Sequence, residues 1–281
     1  MTVFSLTDAH CHLQDDRFNA DLPEVIARAE LAGVTRFVCN ASAPANWEKT
    51  LQIARDYPNV FPCIGLHPLY VEETAETDWF DQFAELLEKA SRELPQPVGI
   101  GEIGLDHYIT PRNDHLQETA FREQLRMAAR FGKPVMLHTR QALDRSLEIL
   151  CENFQKKSKQ GEIPAFLLHG FGGPNERVGQ IVKMGGCFSF SANILKIKHK
   201  KMPQAAAIVP LDRVLLESDA PDLPPPVEAI PLNWPVSSGK TRNEPAIVPA
   251  VLGELAKIRN MPVCELAEII AENEAAFFKK A

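Results

Sequence analysis

The sequence predicts an α/β fold, a single (β/α)8 (TIM) barrel domain spanning residues 1–281, and three observations carry this. Short apolar runs rich in β-branched residues alternate with amphipathic helical stretches, as in parallel βαβ units. Eight such runs occur, with roughly 25 to 35 residues per unit, which suits a closed barrel better than an open sheet. The chain of 281 residues, 45% hydrophobic, can fill one large core, and no internal repeat, low-complexity segment or linker marks a second domain.

The first strand is expected over Val3 to Asp8, followed by a helix over Leu22 to Leu31 whose apolar positions recur three and four apart. Strands follow at Val34 to Asn40, Val60 to Leu66, Val98 to Glu102 and Pro134 to His138, with helices at Trp47 to Asp56, Phe80 to Ala90, Gln117 to Arg130 and Leu143 to Phe154. The last three strands are expected at Ala165 to His169, Gly186 to Phe190 and Val214 to Ser218. Pro221 to Pro235 reads as a long loop, and Ile247 to Arg259 and Val263 to Phe278 as helices that close the outside.

Composition excludes several classes. There is no run of about 18 apolar residues to span a bilayer and no basic start with an apolar stretch at the N-terminus, so a cytoplasmic protein is expected. The six cysteines form no C-x-x-C pair and read as small buried hydrophobes in a reducing compartment. A net charge of -7 argues against a general nucleic-acid coat protein, whose affinity would rest on counterion release from a basic surface.

Chemistry concentrates where barrel enzymes keep it, at the carboxyl ends of strands. In Asp8-Ala9-His10-Cys11-His12 the alternation of an extended chain puts Asp8, His10 and His12 on one face, so two imidazoles can chelate one ion. His67 ends strand three, Glu102 strand four, His138 strand five, His169 strand six and Asp219 strand eight. Any one strand-end histidine reads equally well as a hydrogen-bonded core residue. Five of the eight histidines converging on one rim point to a metal site.

The motifs Asp8-Ala9-His10-Cys11-His12-Leu13, Gly65-Leu66-His67-Pro68, Gly101-Glu102-Ile103-Gly104-Leu105-Asp106, Pro134 to Arg140, His169-Gly170-Phe171, Leu216 to Pro221 and Arg242-Asn243-Glu244-Pro245, with Asn273 and Phe277, span nearly the whole chain. In them the chain resembles the TatD-type metal-dependent deoxyribonucleases of the amidohydrolase superfamily. The resemblance implies two divalent ions, with His10, His12, Glu102 and Asp219 around one and Glu102, His138 and His169 around the other, Glu102 bridging. Such a nitrogen and oxygen set suits Zn, Mn or Fe, and Mg less comfortably. Two departures stand out: Ser218 where the family usually has Thr, and Asp222 where it has an aromatic, which adds negative charge near the mouth. His107 also replaces a common aromatic, and Pro224-Pro225-Pro226 leaves the course of the following loop open.

The expected reaction is metal-assisted hydrolysis of a phosphodiester of DNA, in single strands or at ends, with Asp219 as general base and Glu102 holding the metals. His67, Arg140, Lys196 and Lys198 are candidate substrate contacts; Arg140 extends the face of His138 and could grip phosphate bidentately, or form an outer-loop salt bridge. Lys196 to Lys201 follows strand seven on the catalytic rim, whereas Lys156 to Lys159 precedes strand six on the opposite face. Asp8 and Glu217 could orient metal ligands, and Phe171 and Tyr108 could stack on a base. Two alternatives stay open: a hydrolase of a small amide, lactone or phosphoester with the same metals, and a metal-binding protein without turnover. A monomer is compatible with all of these readings.

Overall fold

The computed structural model describes residues 5–154, 163–196, 198, 200–230, 234 and 242–279. Eight strands, β1 (Leu6–Cys11), β2 (Val34–Asn40), β3 (Val60–Ile64), β4 (Gly99–Asp106), β5 (Val135–Arg140), β6 (Phe166–Leu168), β7 (Cys187–Phe190) and β8 (Val214–Leu216), follow sequence order across one sheet. Each pair with a described register is parallel, and helices separate the strands: α1 (Leu22–Leu31), α2 (Pro44–Asp56), α3 (Trp79–Glu93), α4 (Asp114–Phe131), α5 (Leu143–Asn153), α6 (Val178–Lys183), α7 (Lys201–Ile208), α8 (Val248–Arg259) and α9 (Val263–Lys279). The architecture is the (β/α)8 barrel class. Among the described residues no helix is long and apolar enough to cross a membrane.

All eight strands fall where β-branched runs place them, with two shifts that matter. β1 runs on to Cys11, so His10 lies within the strand, and β4 continues past Glu102 to Asp106. α6 and α7, of six and eight residues, are too short to show a two-turn period and carry no signal in the sequence. Four cysteines are buried, but Cys151 and Cys264 are exposed on α5 and α9, against the expectation that all six fill the core. Lys156 to Lys159, the first residues of the expected first strand and part of the Pro-rich loop lie outside the described residues.

By packing, the chain divides into two compact units. One comprises Met1–Cys39, His169–Val182 and Cys187–Ala276, the other Asn40–Leu168, Lys183–Gly186 and Phe277–Ala281. In the first unit β1 joins β2, β7 joins β8, and the end of β1 meets the segment just past β8: the Asp219 amide donates to the His10 carbonyl at 2.9 Å and the His12 amide to the Ala220 carbonyl at 2.7 Å. Val251, Leu252 and Leu255 of α8 are buried, and this helix packs on β1 and β8.

In the second unit β3, β4, β5 and β6 pair in turn, and α4 lies along β4. Two glutamines seven residues apart on one face of α4 are fully buried and grip strand ends. Gln124 bonds both the amide (2.6 Å) and the carbonyl (3.2 Å) of Leu66, and Gln117 does the same for Asp106 at 2.9 and 3.2 Å. Buried amides that satisfy backbone groups in this way fix the strand ends beneath His67 and Asp106.

The base of the first unit holds a buried carboxyl. Glu274 of α9 faces Thr7 of β1 and the Arg36 guanidinium, 3.5 Å away, and burial pushes its carboxyl up from an ordinary 4.5 to about 7 despite those partners. The folded chain therefore keeps a proton that the unfolded chain releases between pH 4.5 and 7, so stability falls as pH rises through that window. In urea unfolding, the wild type should lose on the order of 3 kcal/mol relative to Glu274→Gln between pH 4.5 and 8. Parallel profiles for the two proteins would refute this role for Glu274.

Candidate metal centre

Within the first unit, His10, His169 and Asp219 each offer a donor atom within 4.8 Å of the others. The His10 and His169 rings stack with centroids 4.1 Å apart, and His12 meets His10 edge-on at 5.0 Å. Asp219 Oδ1 lies 3.6 Å from His12 Nε2 and 3.9 Å from His10 Nε2.

A hydrogen-bonded frame behind these groups holds them. Asp219 has φ of +59°, in the left-handed region that few side-chain-bearing residues adopt. The residue before it is held by Asp8, fully buried, whose Oδ1 accepts from the Ser218 amide at 2.8 Å and whose Oδ2 accepts from the Ser218 hydroxyl. That hydroxyl in turn accepts from the Ala220 amide at 3.0 Å, and Asn243 Nδ2 donates to the Ser218 carbonyl at 2.6 Å. The hydroxyl of Ser218 thus does the work expected of Thr. Asp8 serves this frame, and burial pushes its carboxyl up to about 8 against the pull of the Ser218 hydrogen bonds. Glu217, also buried, accepts from the Ser189 hydroxyl with one oxygen and places the other 3.8 Å from His169 Nδ1.

In the second unit, Glu102, His138 and His67 form another group of donors within 4.8 Å. Glu102 Oε1 is 2.7 Å from His138 Nδ1, and on the opposite edge of the ring Asp106 Oδ2 is 3.0 Å from Nε2. Sequence reasoning missed Asp106 as an orienting residue. Its signal was the spacing of four from Glu102, which puts both on one face once β4 extends through the glycines. The extension needs Gly104: its φ is +140°, and a Cβ there would lie 2.0 Å from the His138 carbonyl oxygen. Burial would raise the Asp106 carboxyl, but the His138 hydrogen bond, the Tyr108 amide and the Arg140 charge outweigh it and hold the group below the usual range.

His67 Nδ1 accepts from the Leu69 amide at 3.0 Å, so in the neutral ring the proton sits on Nε2, 3.5 Å from Glu102 Oε1. That makes His67 a donor toward the site rather than a ligand. The His10, His169 and Asp219 group and the Glu102–His138 pair suit divalent cations, because each joins imidazole nitrogen to carboxylate oxygen with little exposure. At His138 the fit extends outward: Glu102 flanks the ring edge that would face an ion, and Asp106 takes the far N–H, the pairing that orients metal-binding histidines.

The rim residues separate. Arg140 continues β5 as expected, its guanidinium carbon lies over Tyr108 at 3.7 Å from the ring centroid, and among the described residues it forms no salt bridge. Lys196 Nζ donates to Asn193 Oδ1 at 2.8 Å and its burial lowers its pKa, while Lys198 is exposed. Phe171 is buried against Phe188 at 4.7 Å, so it belongs to the core and not to a base platform. Asp222 is paired: Arg17 Nη1 donates to its Oδ1 at 2.8 Å, while Arg17 Nε donates to Asp15, so two carboxylates share one guanidinium. Replacing Asp106 by Asn should weaken divalent-ion affinity about 10- to 100-fold without unfolding the chain. Competition with a chromogenic chelator, beside a circular dichroism melt, checks this, and unchanged affinity would contradict it.

Comparisons with known proteins identify the family. The family model described as TatD related DNase matches residues 7–279. The metal-dependent hydrolase YabD of Bacillus subtilis is 30% identical over 98% of this chain and 99% of its own. The 3'-5' ssDNA/RNA exonuclease TatD of Cronobacter sakazakii is 31% identical over 97% of both chains. Among solved structures, the TatD homologue YjjV of Escherichia coli superposes with a TM-score of 0.85 at 27% identity, covering 99% of each chain. A dihydroorotase of Campylobacter jejuni, 15% identical with a TM-score of 0.56, shares the fold alone. With a family match that runs almost end to end, the chain belongs to the TatD family.

Proposed function

We propose that the protein is a divalent-metal-dependent hydrolase that cleaves phosphodiester bonds of DNA, in single strands or at ends. The observation that carries this reading is the pair of donor groups at strand ends, His10, His12, His169 and Asp219 in one unit and Glu102 and His138 in the other. His10, His12, Glu102 and Asp219 would hold one ion and Glu102, His138 and His169 a second, with the whole chain acting as one domain. A cytoplasmic setting accords with cysteines spread singly along the chain.

When bound, divalent cations supply the charge that offsets a phosphodiester and the acidity that lets water attack near neutral pH. Everything else falls to the protein's own groups. The Asp219 carboxylate, set by its left-handed backbone beside His10 and His12, accepts the proton of the attacking water. His67 donates its Nε2 proton to an oxygen that gains charge in the transition state. Asp106 keeps the His138 ring turned toward Glu102. Lys198, exposed on the rim, and the partly buried Lys196 add positive charge where a strand would pass.

Metal-stripped protein, with Mg, Mn or Zn restored separately, should cleave end-labelled DNA only when metal is present. Glu102→Ala and His138→Ala should abolish cleavage, and Asp219→Asn should cut kcat about 100-fold or more while ions still bind. Full activity in Asp219→Asn would remove that residue as base. Absence of cleavage with any metal, despite bound ions, would favour a small-substrate hydrolase using the same donors.

A further inference from the structure

We infer that Arg140 and Tyr108 together form a platform for an unpaired nucleotide of the substrate strand, and that this pair makes the protein selective for single strands. The inference rests on the nuclease reading above and specifies the substrate at that same site.

Both residues stand at the carboxyl ends of neighbouring strands. Asp106 and Arg140 are partners in the β4–β5 register, and the His107 amide donates to the Arg140 carbonyl at 2.9 Å. Two residues past the end of β4, the Tyr108 amide donates to Asp106 Oδ1 at 2.8 Å, while the other oxygen of that carboxylate holds His138. One carboxylate therefore positions both the aromatic and an imidazole of the metal-binding group. The platform is built into the frame of the site.

The pair's chemistry matches a nucleotide. The Arg140 guanidinium lies 3.7 Å from the Tyr108 ring centroid, yet Tyr108 remains 58% exposed. A guanidinium seated over a ring can still offer N–H groups to a phosphate, and among the described residues no carboxylate is in an ion pair with Arg140. The exposed Tyr108 ring offers a surface to a base, and every base has a face to give it. In a duplex those faces are already covered by neighbouring pairs. Only an unpaired nucleotide can place its base on the stack and its phosphate against the guanidinium edge. An exposed cation–π pair that merely ties two loops would be indifferent to both.

The test is fluorescence anisotropy of full-length protein in EDTA with a labelled oligothymidylate and with the same strand carrying abasic residues. The wild type should bind the intact strand about tenfold more tightly than the abasic one, as stacking of a base on an aromatic allows. Tyr108→Ala should lose about tenfold on the intact strand and less than about twofold on the abasic strand, whereas Tyr108→Phe should keep the preference. Arg140→Ala should weaken both strands and reduce the salt slope by about 1. Equal losses on both strands in Tyr108→Ala, an unchanged salt slope in Arg140→Ala, or absence of binding by the wild type would each overturn the platform. Cleavage of end-labelled DNA by the wild type, run alongside, separates the two readings: activity with no base preference sinks the platform alone, and inactivity sinks the nuclease reading.

Discussion

Parallel pairing is the constraint on which the rest of the structure depends. Because β1 and β2, and β7 and β8, run the same way, the residues after their carboxyl ends emerge along one edge, and the same holds for β3 to β6. Residues separated by more than 200 positions, such as His10 and Asp219, then meet within 4 Å. No local motif could achieve this; the chain needs only to end each strand on the right residue.

Parallel pairing places the groups roughly, and buried polar contacts then set their angles. Asp8 on Ser218, Gln117 on Asp106, Gln124 on Leu66 and Ser189 on Glu217 each satisfy a backbone or side-chain group next to a donor of the site. Burying such groups is tolerable only when they are hydrogen-bonded, and breaking one leaves its partner stranded at roughly 1 to 3 kcal/mol. A second tier of charge lies further out: Arg28 and Arg242 both grip the fully buried Glu244, and Arg242 also holds Asp21 and covers Phe18. This tier ties the loop after β1 to the segment preceding α8, near the residues that carry His12 and Asp219.

Much of this was legible in the sequence because it is periodic or local. The strands announce themselves by β-branched runs, and α1 begins and ends where its three- and four-residue spacing does. Strand-end histidines are visible once the strands are placed. What escaped depends on contacts between distant segments or on conformations that residue types do not advertise. The strand expected to end at Glu102 runs on because Gly104 lets the chain pass the His138 carbonyl, a close approach that residue types do not advertise, and so the role of Asp106 was hidden. The pairing of Asp222 with Arg17 spans 205 residues, and the cover over Phe171 comes from Phe188 of β7.

The proposed function requires that two groups of imidazoles and carboxylates at the strand ends serve one two-metal centre. Anomalous diffraction from crystals grown with Mn decides this. Two strong peaks per chain are expected, one on His10, His12 and Asp219 and the other on His138 and His169, with Glu102 touching both. A single peak, or two that do not share Glu102, would refute a shared centre.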